Sequence, residues 1–336
     1  MRHRGVQKLT MIYVIADFSA DLTRFIFEGL HRTDVRLVQY SSKTKGLAQK
    51  IRRWLESFFP VVPLNLYGSA DLMQLAKDIT PQDVVILFSV MNAKDLRLLH
   101  KYVGRGRIFS FLWNPVVEFR GKKFRIAQRL RAIRKVSDHV TTFDAQDAQT
   151  YGFTLLPQPF RHVALPATAS AAMDYDFCFI GMDKGRLPFL MRFKTLAEQN
   201  GYRCFFRIVP DRGAVYSAEE RTFLSHASLT YAENLEYVAR SRCLLEIVQH
   251  NQFGSTMRGV EALFFHRKII TTSPLARQEP GFDARRVLVL DGTDPAGAHI
   301  DMARIASFMD TPLGPPDDQA LQAHEINHWL QHFQSP

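Results

Sequence analysis

Short, unbroken apolar runs recur along this chain, and an amphipathic stretch follows almost every one. In the first half the runs are MIYVIA (11–16), VRLVQY (35–40), VVPLNLY (61–67), DVVILFSV (83–90), RIFSFLW (107–113), HVTTFD (139–144) and TLLPQP (154–159). Most are continuous rather than alternating, which is the pattern of strands covered on both faces in a parallel sheet. The intervening stretches, near 22–30, 47–59, 71–79, 93–103 and 119–136, have helical spacing. Repeated strand–helix units predict an open, doubly wound α/β domain.

Residues 161–173 (RHVALPATASAAM) break this rhythm and read as a linker. The rhythm then restarts with DFCFIG (176–181), YRCFFRIV (202–209), a short run at 228–231, CLLEIV (243–248), KIITT (268–272) and RVLVLD (286–291). Helices are expected at 187–200, 218–225, 233–241, 256–266, 301–310 and 324–333. The expected organisation is a Rossmann-like domain over 1–165, with 1–10 a loose tail, and a second over 174–315. A C-terminal helical segment, 316–336, is expected to cross back to the first. Two such doubly wound parallel-sheet domains would face across a cleft, with ligands in the loops after strands.

Composition narrows the setting. Lys and Arg total 43 against 33 Asp and Glu, but residues 1–170 carry net +13 and residues 171–336 net −3. A basic first half predicts an anionic partner: nucleic acid, an anionic glycan or a membrane surface. The three cysteines, Cys178, Cys204 and Cys243, each lie in an apolar run without metal-ligand spacing, as reduced core thiols do. The first apolar run is too short for a signal-peptide core, and no run of about 18 apolar residues occurs. A cytoplasmic protein is expected, peripheral at most on the inner face of the cytoplasmic membrane.

Two loops carry chemistry. Gly181-Met182-Asp183-Lys184-Gly185-Arg186 follows the first strand of the second domain. Gly181 would let the chain turn tightly, and Lys184 and Arg186 bring positive charge to the next helix N-terminus, a phosphate-binding combination. The loop 249–262 follows CLLEIV. Gly254, Ser255 and Thr256 offer backbone N–H groups and hydroxyls at a helix start, Arg258 is one turn in, and Glu261 lies beside it at i+3. Each loop reads equally well as an ordinary strand–helix turn with solvated charges.

From Asp176 to Pro274 the sequence resembles the donor-binding domain of bacterial GT-B glycosyltransferases, most of all those of capsule and lipopolysaccharide synthesis. The pieces are FCFIGMDKGR, LTYAENLEYVARSRCLLEIVQ and FGSTMRGVEALFFHRKIITTSP, in that order. The resemblance implies that Glu261 binds the donor ribose and that Gly254, Ser255 and Thr256 hold the diphosphate. It also implies that Lys184 and Arg186 neutralise the diphosphate and that Tyr231 lies near the nucleobase. The implied reaction is metal-independent sugar transfer, with the nucleotide-sugar as co-substrate, no cofactor, and a surface-glycan or lipid-linked acceptor. Retaining members carry a second Glu seven positions before the ribose Glu; Gly254 stands there, and the nearest upstream acid is Glu246.

An inverting transfer needs a base for the acceptor hydroxyl. Asp17 and Asp144, both at strand ends, are the candidates, and each also fits a loop or helix cap. His324-Glu325-Ile326-Asn327-His328 matches the zinc-protease pattern H-E-x-x-H but lacks a downstream third ligand, so a polar helix face is the expectation. Asp174-Tyr175-Asp176 precedes a strand rather than following one, and no metal is assigned to it. The stretch 119–136 is rich in Lys and Arg with no acid, suited to an anionic membrane or glycan. Two rival functions stand beside glycosyl transfer: a non-catalytic GT-B-like scaffold subunit, and a nucleic-acid-binding protein using the basic half. The few aromatics among the basic residues speak against nucleic acid.

Overall fold

A computed structural model describes residues 10–40, 70–116, 119, 123–163, 173–225, 227, 229–248, 256–278, 282–290 and 299–334. The expected helix at 47–59 and strand at 61–67 lie outside them. The chain divides into two compact units, residues 1–157 with 326–336, and residues 158–325.

In the first unit, β1 (Ile12–Ala16), α1 (Asp21–Phe27), β2 (Val35–Gln39), α2 (Ala70–Asp78), β3 (Val84–Phe88) and α3 (Ala93–Val103) succeed one another. Then come β4 (Arg107–Leu112), α4 (Lys123–Val136), β5 (His139–Thr142), α5 (Ala145–Tyr151) and β6 (Thr154–Leu155). All pairs are parallel, in the order β2-β1-β3-β4-β5-β6, so the topological switch lies between β1 and β3. IYVIA and VVILF are buried along their whole length because both sheet faces are covered. On one face Tyr13, Ile15, Val85 and Leu87 pack with Leu96, Leu99, Leu130 and Ile133. The same apolar stripe of α4 leaves Arg131, Arg134 and Lys135 exposed.

The other face is closed partly by the end of the chain. Trp329 and Phe333 are fully buried. The Trp329 ring lies 5.0 Å from Phe111 and 4.8 Å from Phe333, and Phe333 lies 5.4 Å from Phe109. The indole Nε1 donates to the Pro157 carbonyl at 2.7 Å, so the buried polar atom is satisfied. Asn327 donates to Gly29 O and accepts from His31 N, both at 3.1 Å, which pins the segment beside α1.

The second unit holds β7 (Tyr175–Met182), α6 (Leu187–Gln199), β8 (Cys204–Val209), α7 (Ala218–Phe223), α8 (Tyr231–Ala239) and β9 (Ser241–Glu246). It continues through α9 (Met257–Phe264), β10 (Lys268–Thr271), β11 (Val287–Val289), α10 (Met302–Asp310) and α11 (Asp318–His324). Its parallel sheet has the order β11-β10-β9-β7-β8, with the switch between β7 and β9. Phe177, Phe179, Leu245 and Ile270 form its core with Leu190, Phe193 and Ile305. The three cysteines are free thiols, and burial pushes Cys178 up to about 11 and Cys204 up to about 12. Both Rossmann-like sheets follow from the continuous apolar runs. Among the described residues no helix is long and apolar enough to cross a membrane.

Two local expectations need correction. Of the run at 228–231, the described residues 229–231 are not a strand: Thr230 and Glu233 close a reciprocal capping box, so α8 begins at Tyr231, two residues early. The segment 324–333 is not one helix either. Phe160 pairs with Glu325, its N–H donating to His324 O at 2.7 Å, and Glu325 is extended at ψ 128°. His324 therefore ends α11, and α12 (Ile326–Trp329) starts anew, so the two histidines of H-E-x-x-H do not share a helix face. Among the described residues no group of three or more His, Cys, Asp or Glu is placed to hold a metal ion.

Trp329→Ala should lower the stability of the first unit by about 3–5 kcal/mol, the usual cost of emptying a buried aromatic site. Urea denaturation read by tryptophan-independent far-UV circular dichroism would check this; a loss under about 1 kcal/mol would mean the segment does not close the core.

Candidate functional site

The loops after β7 and β9 meet at the switch point of the second sheet, where the chain ends of the strands diverge. The carboxylate of Glu261 is the most constrained group there. It is 1% exposed, one helical turn into α9. Its Oε1 accepts from Tyr231 Oη at 2.7 Å and Asn234 Nδ2 at 3.3 Å, and its Oε2 from Arg258 Nη1 at 2.5 Å. Burial pushes the Glu261 carboxyl above the ordinary range, against the opposing pull of Arg258, Tyr231 and Asn234. Burial and the neighbouring carboxylate drive the Tyr231 phenol well above its usual value. Arg258 also donates to the Ile180 carbonyl at 3.0 Å, tying α9 to the end of β7.

A second buried carboxylate fixes the start of α9. Glu246, the last residue of β9, accepts from Thr256 N at 2.6 Å and Thr256 Oγ1 at 2.7 Å. Its other oxygen accepts from Thr271 Oγ1 at 2.7 Å. Thr256 in turn caps α9 by accepting from Arg258 N at 3.1 Å. Gly254 and Ser255 lie outside the described residues.

The loop after β7 turns later than the sequence suggests. Gly181 remains in the strand, paired with Ile208, and a Cβ there would meet nothing closer than 3.4 Å. The turn falls at Lys184 (φ 46°) and Gly185 (φ 78°), closed by Arg186 N donating to Asp183 O at 2.9 Å. Lys184 is exposed and sits in the left-handed region, a conformation that costs a non-glycine residue about 1 kcal/mol or more. Asp183 caps α6 by accepting from Leu187 N at 2.8 Å and is held by Tyr216 Oη at 3.0 Å. Arg186 points back into the loops: its N–H groups reach the carbonyls of Asp183 (3.0 Å), Ile247 (2.9 Å) and Met182. It therefore joins the two loops and leaves its charge near them.

Tyr231, Arg258 and Glu261 thus form one cluster, with Thr256 at the foot of the same helix and Arg186 bridging the two loops. Asp17 and Asp144 belong to the first unit. Asp17 accepts from Ser19 N (3.1 Å), Ser19 Oγ (2.5 Å) and Gln39 Nε2 (3.3 Å), as a turn cap does. Asp144 is buried and caps α5 through Asp147 N at 2.9 Å. Three residues were not foreseen in their roles: Asn234, Glu246 and Asp147. The T-x-x-E box at 230–233, read as a helix start, places Tyr231 and Asn234 three apart on one face and would have found the first. Asp147 accepts from Val116 N at 2.7 Å, and burial, with the Asp144 carboxylate adding to it, pushes its carboxyl up to about 6. The D-x-D acids are engaged by arginines at the amino end of β7: Asp174 by Arg240, and Asp176 by Arg242 at 3.1 Å.

Neither models of protein families nor curated proteins match the chain. Solved structures do. The sucrose-phosphate synthase of Thermosynechococcus elongatus is 12% identical with a TM-score of 0.58, covering 97% of this chain and 98% of that one. A UDP-forming α,α-trehalose-phosphate synthase from Burkholderia vietnamiensis is 12% identical at 0.57, with the same coverages. A co-structure of S. aureus MnaA with UDP reaches 0.50 at 12%, over 96% of this chain and 97% of that one. At such identities the likeness is one of fold: two Rossmann-like parallel-sheet domains.

The raised Asp147 carboxyl predicts a pH-dependent stability. The folded state holds this proton more tightly than the unfolded state, so the benefit is complete below about pH 4 and is lost as pH rises through about 6. The loss amounts to about 3 kcal/mol at most. Asp147→Asn keeps an acceptor for Val116 N and should flatten the urea midpoint between pH 4 and 7; an unchanged slope would refute the assignment.

Proposed function

We propose that the chain is a glycosyltransferase that moves a sugar from a nucleotide-activated donor bound at the loops after β7 and β9. The observation that carries this reading is the Glu261 cluster. It is a buried carboxylate pre-oriented by Arg258, Tyr231 and Asn234 at the switch point of a parallel sheet, and in this reading its remaining lone pairs accept from vicinal hydroxyls such as those of ribose. The resemblance of 176–274 to GT-B donor domains supports it, and so does a fold shared with a UDP-forming α,α-trehalose-phosphate synthase and a sucrose-phosphate synthase.

In this reading the departing nucleoside diphosphate lies across the turn 183–186 and the start of α9. Charge builds on the diphosphate as the anomeric carbon becomes cation-like, and stabilising that charge is the main catalytic demand. Lys184, exposed at the turn, and the positive end of the α9 dipole meet it, while Arg186 holds the two loops together and adds its charge. No metal or cofactor is assigned a role. The acceptor binds the first unit, whose helix α4 exposes Arg131, Arg134 and Lys135 and suits an anionic surface-glycan or lipid-linked precursor. That face also fits peripheral contact with the inner, anionic leaflet of the cytoplasmic membrane.

A thermal-shift panel of UDP-, GDP-, ADP- and CMP-sugars tests the reading. One nucleotide class should stabilise the protein, by about 2.7 kcal/mol at a hundredfold excess over Kd. Lys184→Ala, on an exposed loop, should weaken that nucleotide about tenfold without altering the ligand-free melting temperature. Glu261→Gln should weaken it at least as much. If no nucleotide stabilises the protein and neither variant changes anything, the enzyme reading falls.

A further inference from the structure

A cavity of about 610 Å³ opens in the second unit at the amino ends of β10 and β11, the end of the sheet opposite the switch-point loops. Three segments line it: Leu263 near the end of α9 with His266 two residues beyond the helix, the approach to β11 at 282–286, and the loop 313–317 before α11. Nothing in the preceding reading uses it.

The strongest sign that this cavity has a task is His266. α9 ends in a Schellman motif, with His266 N donating to Leu263 O at 3.2 Å and Arg267 N to Ala262 O at 2.8 Å. The residue between those two bonds must be left-handed, and glycine is the usual occupant. Here it is histidine, at φ 50°. A side chain is thus kept at a position where the backbone favours having none, and it lines the cavity. Such an outlier points to a role for the side chain.

The cations around it are arranged rather than scattered. Asp283 orients Arg285, taking its Nε at 3.1 Å and Nη2 at 2.9 Å, and Nη1 has no partner among the described residues. Gly314 lets the guanidinium approach, since a Cβ there would lie 2.5 Å from Arg285 Nη2. Lys268 Nζ donates to the Arg285 carbonyl at 3.2 Å and to the carbonyls of Phe308 and Thr311, which fixes the backbone of that wall. Arg286 lines the cavity beside Arg285, and burial together with the charges of Arg267 and Arg286 lowers the proton affinity of His266. Of the two acids in the wall, Asp283 belongs to Arg285 and Asp317 caps α11 through Ala320 N at 2.9 Å. Phe282, Pro315 and Pro316 supply flat apolar surface.

We infer that this cavity binds a small phosphate monoester, its phosphate between Arg285, Arg286 and His266 and its organic body against Phe282 and Pro315–Pro316. Guanidinium and imidazole groups on one cavity wall suit a tetrahedral dianion, and a pocket of this size accommodates a pentose or hexose beside it. The inference does not depend on what binds at the carboxyl ends of the strands.

Calorimetric titration of the full chain with ribose 5-phosphate, with ribose as the uncharged control, tests it. Ribose 5-phosphate should bind at least tenfold more tightly than ribose. Arg286→Gln should weaken it about tenfold, and Gly314→Ala, which displaces the flexible end of Arg285, by several-fold. His266→Gly should weaken binding and at the same time raise the ligand-free melting temperature by about 2–4 °C, because it relieves the left-handed strain. Lys184→Ala, at the other end of the sheet, should leave the affinity unchanged. Three results would each overturn the inference: no binding at millimolar ribose 5-phosphate, binding that Arg286→Gln leaves intact, or binding lost in Lys184→Ala.

Discussion

A carboxylate that is 1% exposed must have partners, and much of the second unit is arranged around supplying them to Glu261. Its ligands come from two helices: Tyr231 and Asn234 from α8 and Arg258 from α9. Arg258 carries the tie on to the Ile180 carbonyl in β7. Removing one member leaves a buried charge uncompensated, which commonly costs about 3–5 kcal/mol. The same logic acts a turn earlier. Glu246 needs donors at the end of β9 and finds them in Thr256 and Thr271, so the first turn of α9 is fixed to the sheet. Two buried acids thus set the position of a helix start, and the helix start sets the loops.

α9 is consequently read at both ends. Its first turn belongs to the carboxyl ends of the strands, with Thr256, Arg258 and Glu261. Its last turn closes on His266, in a backbone conformation that disfavours a side chain, at the amino ends of β10 and β11. One eight-residue helix therefore serves two polar environments, and its apolar residues Val260, Ala262 and Leu263 are buried.

The architecture was legible because covered parallel strands leave continuous apolar runs, and IYVIA, VVILF and CLLE carry that signature without ambiguity. The pairing of Arg258 with Glu261 was legible from helical spacing. What the sequence concealed depends on contacts far along the chain. Nothing near Glu325 announces a helix break; the partner that imposes it is Phe160. Arg186 reads as a phosphate ligand from its own loop, whereas its bridging of the two loops depends on the distant Ile247 carbonyl. Asp147 is an unremarkable helix residue until Val116 and the surrounding core bury it. The turn falls at Lys184–Gly185 rather than at Gly181 because strand pairing with β8 carries the chain past Gly181 to Met182.

The return of Ile326–Phe333 to the first unit bears on the order in which the chain can mature as it is made. Synthesis is vectorial, and units that are contiguous in sequence can fold as they emerge. Residues 158–325 form such a unit. The first unit does not: one face of its sheet, around Phe88, Phe109 and Phe111, waits for Trp329 and Phe333, which a ribosome delivers only after the whole second unit. The segment that begins first is thus finished last, and until then it presents an aromatic surface that a chaperone or another nascent chain could contact.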